Sequence, residues 1–316
     1  MILSDALGIP LIAAVLITLS IGSNDTSNSL GICIGCGIIS FRRAMALFSL
    51  FATLGILIQG RRVMSTVGKD LLALDHRILT VALLTSAVFI LAANWRRLPI
   101  STHQVIIGSL SGSGLAFGAD LNYDSLAKIV VSWFISPLSA LLASLAIYWL
   151  MEKTISRLPV FQIGKLLSGL LLMSGLVVAY TTGANELATI LGPVIYAGML
   201  SESQALPAGA VLLSLGAWFL SRRVIETIGH GITALDPYSG FAAQFGAGGC
   251  VLFFTALGMP VSTTYCVIGG IAGVGLFKGA RTLKMELLRR IGISAVLTPI
   301  VACLVAMAVS RVALLP

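Results

Sequence analysis

Two short stretches set acids and amides inside otherwise apolar sequence: Gly22-Ser23-Asn24-Asp25-Thr26-Ser27-Asn28 and Gly183-Ala184-Asn185-Glu186-Leu187-Ala188-Thr189. A carboxylate is costly to bury in lipid, so one kept there marks an ion path or a binding site. Two further stretches, Ser101-Thr102-His103-Gln104 and Ser262-Thr263-Thr264, each follow a proline and run into a glycine-rich apolar segment. Proline near a first turn, hydroxyls as caps and then helix formers predict a helix start at each place. A helix that starts inside a membrane turns free N–H groups and the positive end of its dipole into the site, which suits an anion. The side chains of Ser101, Thr102, Gln104, Ser262, Thr263 and Thr264 add donors without a cation that would hold the anion too tightly. Asn24, Asn28 and Asn185 complete the expected set of substrate ligands. Asp25 and Glu186 repel an anion. Together with Asn24 and Asn185 they are expected to ligate a hard cation such as Na⁺, or to carry a proton, so that the anion can bind beside them. No side chain is assigned a catalytic role, and no cofactor is expected beyond the coupling ion. His103 receives no assignment; His76 and His230 read as interfacial.

A lone Ser-Thr pair in a membrane helix ordinarily bonds its own carbonyls or a neighbouring helix. Here the motifs are paired. Asp25 and Glu186 are 161 positions apart, and the same offset relates Arg61-Arg62-Val63 to Arg222-Arg223-Val224 and Ala73-Leu74-Asp75 to Ala234-Leu235-Asp236. It also relates Pro99, Ser101 and Thr102 to Pro260, Ser262 and Thr263, and Gly108, Gly112 and Gly114 to Gly269, Gly273 and Gly275. A single ungapped offset over this length is an internal duplication. The expected units are residues 1–150 and 166–316, joined by a strip at 151–165.

The elements that must carry these motifs are membrane helices. Of 316 residues, 57% are apolar and 10% charged, with a mean hydropathy of +1.01. Soluble domains carry about 25% charged residues, so the chain reads as an all-α polytopic membrane protein. At roughly 20 residues per span there is room for about ten spanning or half-spanning segments and no separate soluble domain. The polar, glycine-containing stretches near 22–40 and 183–200 are expected to be broken helices or re-entrant hairpins, tolerated only where they line a cavity or are buried in protein. The net charge of +8 lies in basic pairs at the ends of apolar runs, which suits cytoplasmic loops facing anionic lipid and not nucleic acid. Cys33-x-x-Cys36 has no second Cys/His cluster, and the five cysteines read as small residues at helix contacts. The first twenty residues contain no Lys or Arg and read as a first helix, not a signal peptide.

Charge also orients the halves. Lys278, Arg281, Lys284, Arg289 and Arg290 crowd one loop, while its repeat partner at 118–128 holds Asp120, Asp124 and Lys128. Arg42-Arg43 and Arg96-Arg97 likewise correspond to uncharged Ser203-Gln204 and Leu257-Gly258. The positive-inside rule then puts equivalent loops on opposite faces, with the N-terminus outside and the linker inside. An inverted repeat places the site at the midplane between the halves. Arg61-Arg62 and Arg222-Arg223 are basic in both copies; amphipathic helices at both interfaces would account for them.

The motifs resemble the inorganic phosphate transporter (PiT) family, which also contains sulfate permeases. Its members carry Gly-Ala-Asn-Asp-Val-Ala-Asn in each of two inverted halves, followed by Pro-Val-Ser-Thr-(Ser/Thr)-(His/Gln). The resemblance covers nearly the whole chain. It departs where Glu186 stands for Asp, Thr189 for the second Asn, His103 for a hydroxyl residue and Tyr265 for His or Gln. It implies a multi-pass transporter of the cell membrane that takes up inorganic phosphate with Na⁺ or H⁺ by alternating access, with a homodimer left open. A sulfate permease of the same fold is the alternative, and the retained Asn24-Asp25 favours phosphate. A membrane prenyltransferase would need Asn-Asp-x-x-Asp to hold a Mg²⁺-diphosphate, and Asn28 and Thr189 stand where that second acid belongs. An ion channel would not require two inverted acid-bearing motifs.

Overall fold

The computed structural model describes residues 8–96, 100–154, 160–231, 236–279 and 285–314. Pro99, Arg97, Ala234-Leu235, Arg281, Lys284 and linker residues 155–159 therefore lie outside the described residues, as do the side chains of Arg223 and His230.

The chain runs through helices α1 (Gly8–Gly35), α2 (Phe41–Gln59), α3 (Arg61–Ser65), α4 (His76–Trp95), α5 (Thr102–Phe117) and α6 (Tyr123–Thr154). It continues through α7 (Val160–Thr181), α8 (Ala188–Tyr196), α9 (Glu202–Gly231), α10 (Pro237–Ala256), α11 (Thr263–Lys278) and α12 (Met285–Ala313). Among the described residues, eight helices are long and apolar enough to cross a membrane, α7 and α8 counting as one such span. Helices α5 and α11 have 16 residues each. At 1.5 Å per residue they reach about 24 Å, short of a hydrocarbon core of about 30 Å.

These short helices are second arms of two hairpins, α4–α5 and α10–α11, and the expectation of a break at 22–40 is corrected accordingly. Helix α1 runs unbroken to Gly35. Its polar residues need no break, because Thr18, Thr26 and Ser29 donate to the carbonyls of Ala14, Gly22 and Thr26 at 2.7, 2.6 and 3.0 Å. Hydroxyls that bond back to carbonyls of their own helix are satisfied without leaving it. The second copy does depart from α-geometry: Thr182–Leu187 forms a π-helical turn between α7 and α8 that carries Asn185 and Glu186. Such turns concentrate at functional sites.

The repeat is visible in the elements. His76–Trp95 and Thr102–Phe117 become Pro237–Ala256 and Thr263–Lys278 when 161 is added to each bound. It is visible in the packing too. A Cβ on Gly22 would collide with the Leu213 carbonyl, and one on Gly183 with the Ala52 carbonyl; Gly55 meets Tyr180 and Gly216 meets Leu19 in the same way. Each pair maps onto its mate by exchanging halves, as a two-fold relation requires. Glycine is needed at these points because the helix backbones touch. Gly55→Ala and Gly216→Ala should each destabilise by about 1–3 kcal/mol through overpacking. Gly249→Ala, with open space around it, should not. Thermal denaturation in detergent checks all three.

The hairpin arms also swap partners: α5 lies along α12 and α11 along α6. Large apolar side chains such as Ile58, Leu142 and Phe219 point outward, while Asp25, Glu186 and many hydroxyls are buried. Arg62 donates to the Ala256 carbonyl at the C-terminal end of α10. A cation there satisfies an orphan carbonyl and complements the helix dipole, which accounts for Arg62 among the basic residues the charge rule left over. Asp236 caps α10 through the Ser239 amide at 2.9 Å and pairs with Lys278 at 2.7 Å. Burial alone would raise this carboxyl, but the Lys278 ammonium and the Ser239 donors overcome it and hold the carboxyl below its usual value.

Candidate functional site

All four polar motifs converge. Asn28 Nδ2 donates to Asp25 Oδ1 and to Thr264 Oγ1, both at 3.1 Å, tying the first acid motif to the start of α11. Glu186 Oε1 accepts the Thr263 amide at 3.3 Å, and its Oε2 lies 3.1 Å from His103 Nδ1, off the line of a hydrogen bond. The second acid motif thus touches the starts of both α5 and α11. Tyr265 donates to Gln104 Oε1 at 3.4 Å, and these two residues are repeat mates. Asn28 of the first acid motif thus bonds Thr264 of α11, while Glu186 of the second lies against His103 of α5, the repeat mate of Thr264.

Asp25 is 6% exposed and Glu186 4%, and the charge of Glu186 bears on Asp25. Ser101 Oγ, Thr263 Oγ1 and both His103 nitrogens are buried without a hydrogen-bond partner. Native proteins rarely leave such atoms unsatisfied, which makes these four atoms candidates to bind a polar ligand. Among the described residues no three His, Cys, Asp or Glu gather to hold a metal ion. The groups facing the two acids are Asn28 Nδ2, the Thr263 amide and His103 Nδ1, so the hard oxygen ligands on offer to a cation are those of the carboxylates themselves.

Several expected ligands hold the frame. Asn185 Nδ2 donates to Thr255 Oγ1 at 2.8 Å and to the Met259 carbonyl at 3.0 Å, and its Oδ1 accepts the Val261 amide at 3.1 Å. It therefore fixes the link between α10 and α11, with one oxygen lone pair to spare. Asn24 Nδ2 donates to Asn94 Oδ1 at 3.0 Å, and Asn94 donates to Ser20 at 2.6 Å. Gln104 spends its amide on the Ala295 carbonyl of α12 at 3.0 Å. Ser262 caps α11 by accepting the Tyr265 amide at 3.3 Å, whereas Ser101, its mate, makes no such cap. Thr102 stands half-buried in the first turn of α5.

Three polar residues escaped the sequence reading. Asn94 and Thr255 are repeat mates, polar in apolar runs, and the offset could have found them. Gln244 could not be found that way, because its mate is Leu83. It donates to the Asn28 and Ser29 carbonyls, both at 2.9 Å, and braces α1 against α10.

A helical membrane body that brings two acid motifs and two helix starts to one buried cluster is a transport protein, not an enzyme. Residues 21–306 match the model described as the phosphate transporter family, and the chain belongs to that family. A candidate phosphate permease of Methanocaldococcus jannaschii is 34% identical over 307 residues, covering 97% of each chain. The chloroplastic inorganic phosphate transporter 2-1 of Arabidopsis thaliana is 25% identical, over 88% of this chain and 67% of its own. A solved structure described as the sodium-dependent phosphate transporter superposes with a TM-score of 0.85 at 25% identity, covering 97% of this chain and 98% of its own.

Proposed function

We propose that this protein takes up inorganic phosphate across the cell membrane together with Na⁺, by alternating access of one site between two inverted halves. Residues 1–150 and 166–316 form the halves, the linker 151–165 is cytoplasmic and the N-terminus is outside. The observation that carries the proposal is the set of unpartnered, fully buried polar atoms of Ser101, Thr263 and His103 beside the acids Asp25 and Glu186. The hydroxyls and the helix starts suit an oxyanion. The acids oppose it until a cation offsets them, which makes joint binding of the two ions the favourable state. Sodium as that cation is supported by the solved relative's description.

Uptake of labelled phosphate and sulfate into proteoliposomes, with and without a Na⁺ gradient, tests the proposal. Saturable phosphate uptake that collapses without the gradient is expected. Uptake driven by a proton gradient alone would replace the ion, and preferential sulfate uptake would replace the substrate. The inversion is tested separately. Single cysteines placed at Asp120 and at Arg281, in a background lacking the native five, should react with impermeant reagents from opposite faces. Labelling of both from one face would make the duplication parallel.

A further inference from the structure

His103 is the repeat mate of Thr264, so an imidazole stands in one half where the other has a hydroxyl. It is fully buried in the first turn of α5, its Nδ1 3.1 Å from Glu186 Oε2 and its Nε2 without a partner. The Glu186 carboxyl oxygen 3.1 Å away favours the tautomer with the ring hydrogen on Nδ1, because in the other tautomer two lone pairs would face each other at that distance. Nε2 then carries a lone pair and accepts a hydrogen bond.

Apart from the two acids, the cluster offers donors: the hydroxyls of Ser101 and Thr263, and the amides of the helix starts not already spent on Glu186 and Asn185. Donors alone hold phosphate and sulfate alike, because both are tetrahedral oxyanions of similar size. The two differ in one respect at neutral pH: phosphate keeps a P–OH hydrogen and sulfate keeps none. We propose that His103 Nε2 accepts that hydrogen and thereby admits phosphate and rejects sulfate. Against sulfate the lone pair would face an oxygen lone pair and stay unsatisfied. Sites with a committed buried polar group reject the analogue that cannot pair with it far more strongly than apolar pockets reject a misfit. Glu186 thereby has a second role, as the residue that positions the acceptor.

The inference rests on the reading that Ser101 and Thr263 face the anion, and the test separates the two. The full-length protein is reconstituted, and the phosphate KM and the inhibition constant of sulfate are measured for wild type, His103→Leu, His103→Gln, Thr263→Ala and Ser101→Ala. Loss of one hydrogen bond to a charged group corresponds to roughly a ten- to hundredfold change. His103→Leu should lower the preference for phosphate over sulfate by that factor, through weaker phosphate binding with sulfate inhibition unchanged or stronger. His103→Gln, whose amide oxygen can occupy the place of Nε2, should keep most of the preference. Thr263→Ala should weaken both anions alike. If His103→Leu does not fold, His103→Asn, whose amide ends near Nδ1, should lose the preference in its place. A wild-type preference in the Leu or Asn variant, or equal weakening of both anions, would overturn the role of His103 while leaving the anion site standing. If Thr263→Ala and Ser101→Ala leave both anions untouched, the site reading itself fails, and the inference with it.

Discussion

Asp25→Asn and Glu186→Gln should each abolish Na⁺-driven phosphate uptake and leave a folded protein. Both changes keep the shape and the accepting oxygen. Asn28 can still donate at position 25, and the Thr263 amide can still donate at position 186. Each removes only the charge that a bound cation needs. A unit charge pair 4 Å apart at an effective dielectric of 20 is worth about 4 kcal/mol, close to a thousandfold in cation affinity. Removing one of two mutually repelling buried acids should not lower thermal stability, and the size-exclusion profile should match wild type. Uptake assays beside denaturation curves check both halves of the expectation. Wild-type transport in both variants would take the coupling role away from these acids.

The second large effect falls on the anion. The geometry makes the two helix starts unequal: Ser101 Oγ and Thr263 Oγ1 are free to bind, while Ser262 Oγ is spent as a cap. Ser101→Ala and Thr263→Ala should therefore weaken phosphate by about 1.5–3 kcal/mol, roughly ten- to a hundredfold, since each removes a hydrogen bond to a charged group. Ser262→Ala should instead cost about 0.5–2 kcal/mol of stability, as cap removal does, with a smaller effect on phosphate. Titrations of purified variants with phosphate at saturating Na⁺, and with Na⁺ alone, separate these outcomes. Na⁺ binding without phosphate should change little in Ser101→Ala. Equal losses of phosphate affinity in Ser101→Ala and Ser262→Ala would mean that the cap opens when the anion arrives.

The fold was legible in the sequence wherever a signal repeated. The single offset of 161 anticipated the paired elements, and Pro-x-Ser-Thr announced the starts of α5 and α11 at Thr102 and Thr263. The polarity of 22–35 misled, because it resembles a loop until the back-bonds from Thr26 and Ser29 are known. Hydropathy reports how polar a residue is and not where its hydrogen goes. The site was legible as a set of residue types but not as a division of labour. Asn185 and Gln104 look like ligands in sequence, and only their three-dimensional partners show that they hold the α10–α11 link and α12. His103 had no assignment because its meaning depends on Glu186, 83 positions further along the chain, being its neighbour.

The central claim is that anion and cation bind as one unit because buried acids forbid the anion alone. Calorimetric titration of phosphate onto the purified protein, with Na⁺ saturating or replaced by choline, tests it most directly. A coupling free energy of about 1–3 kcal/mol is typical, so phosphate affinity should fall by roughly five- to 150-fold without Na⁺. By linkage, phosphate should raise Na⁺ affinity by the same factor. Phosphate that binds equally well in Na⁺ and in choline would contradict the claim, and the two carboxylates beside the anion would need another explanation.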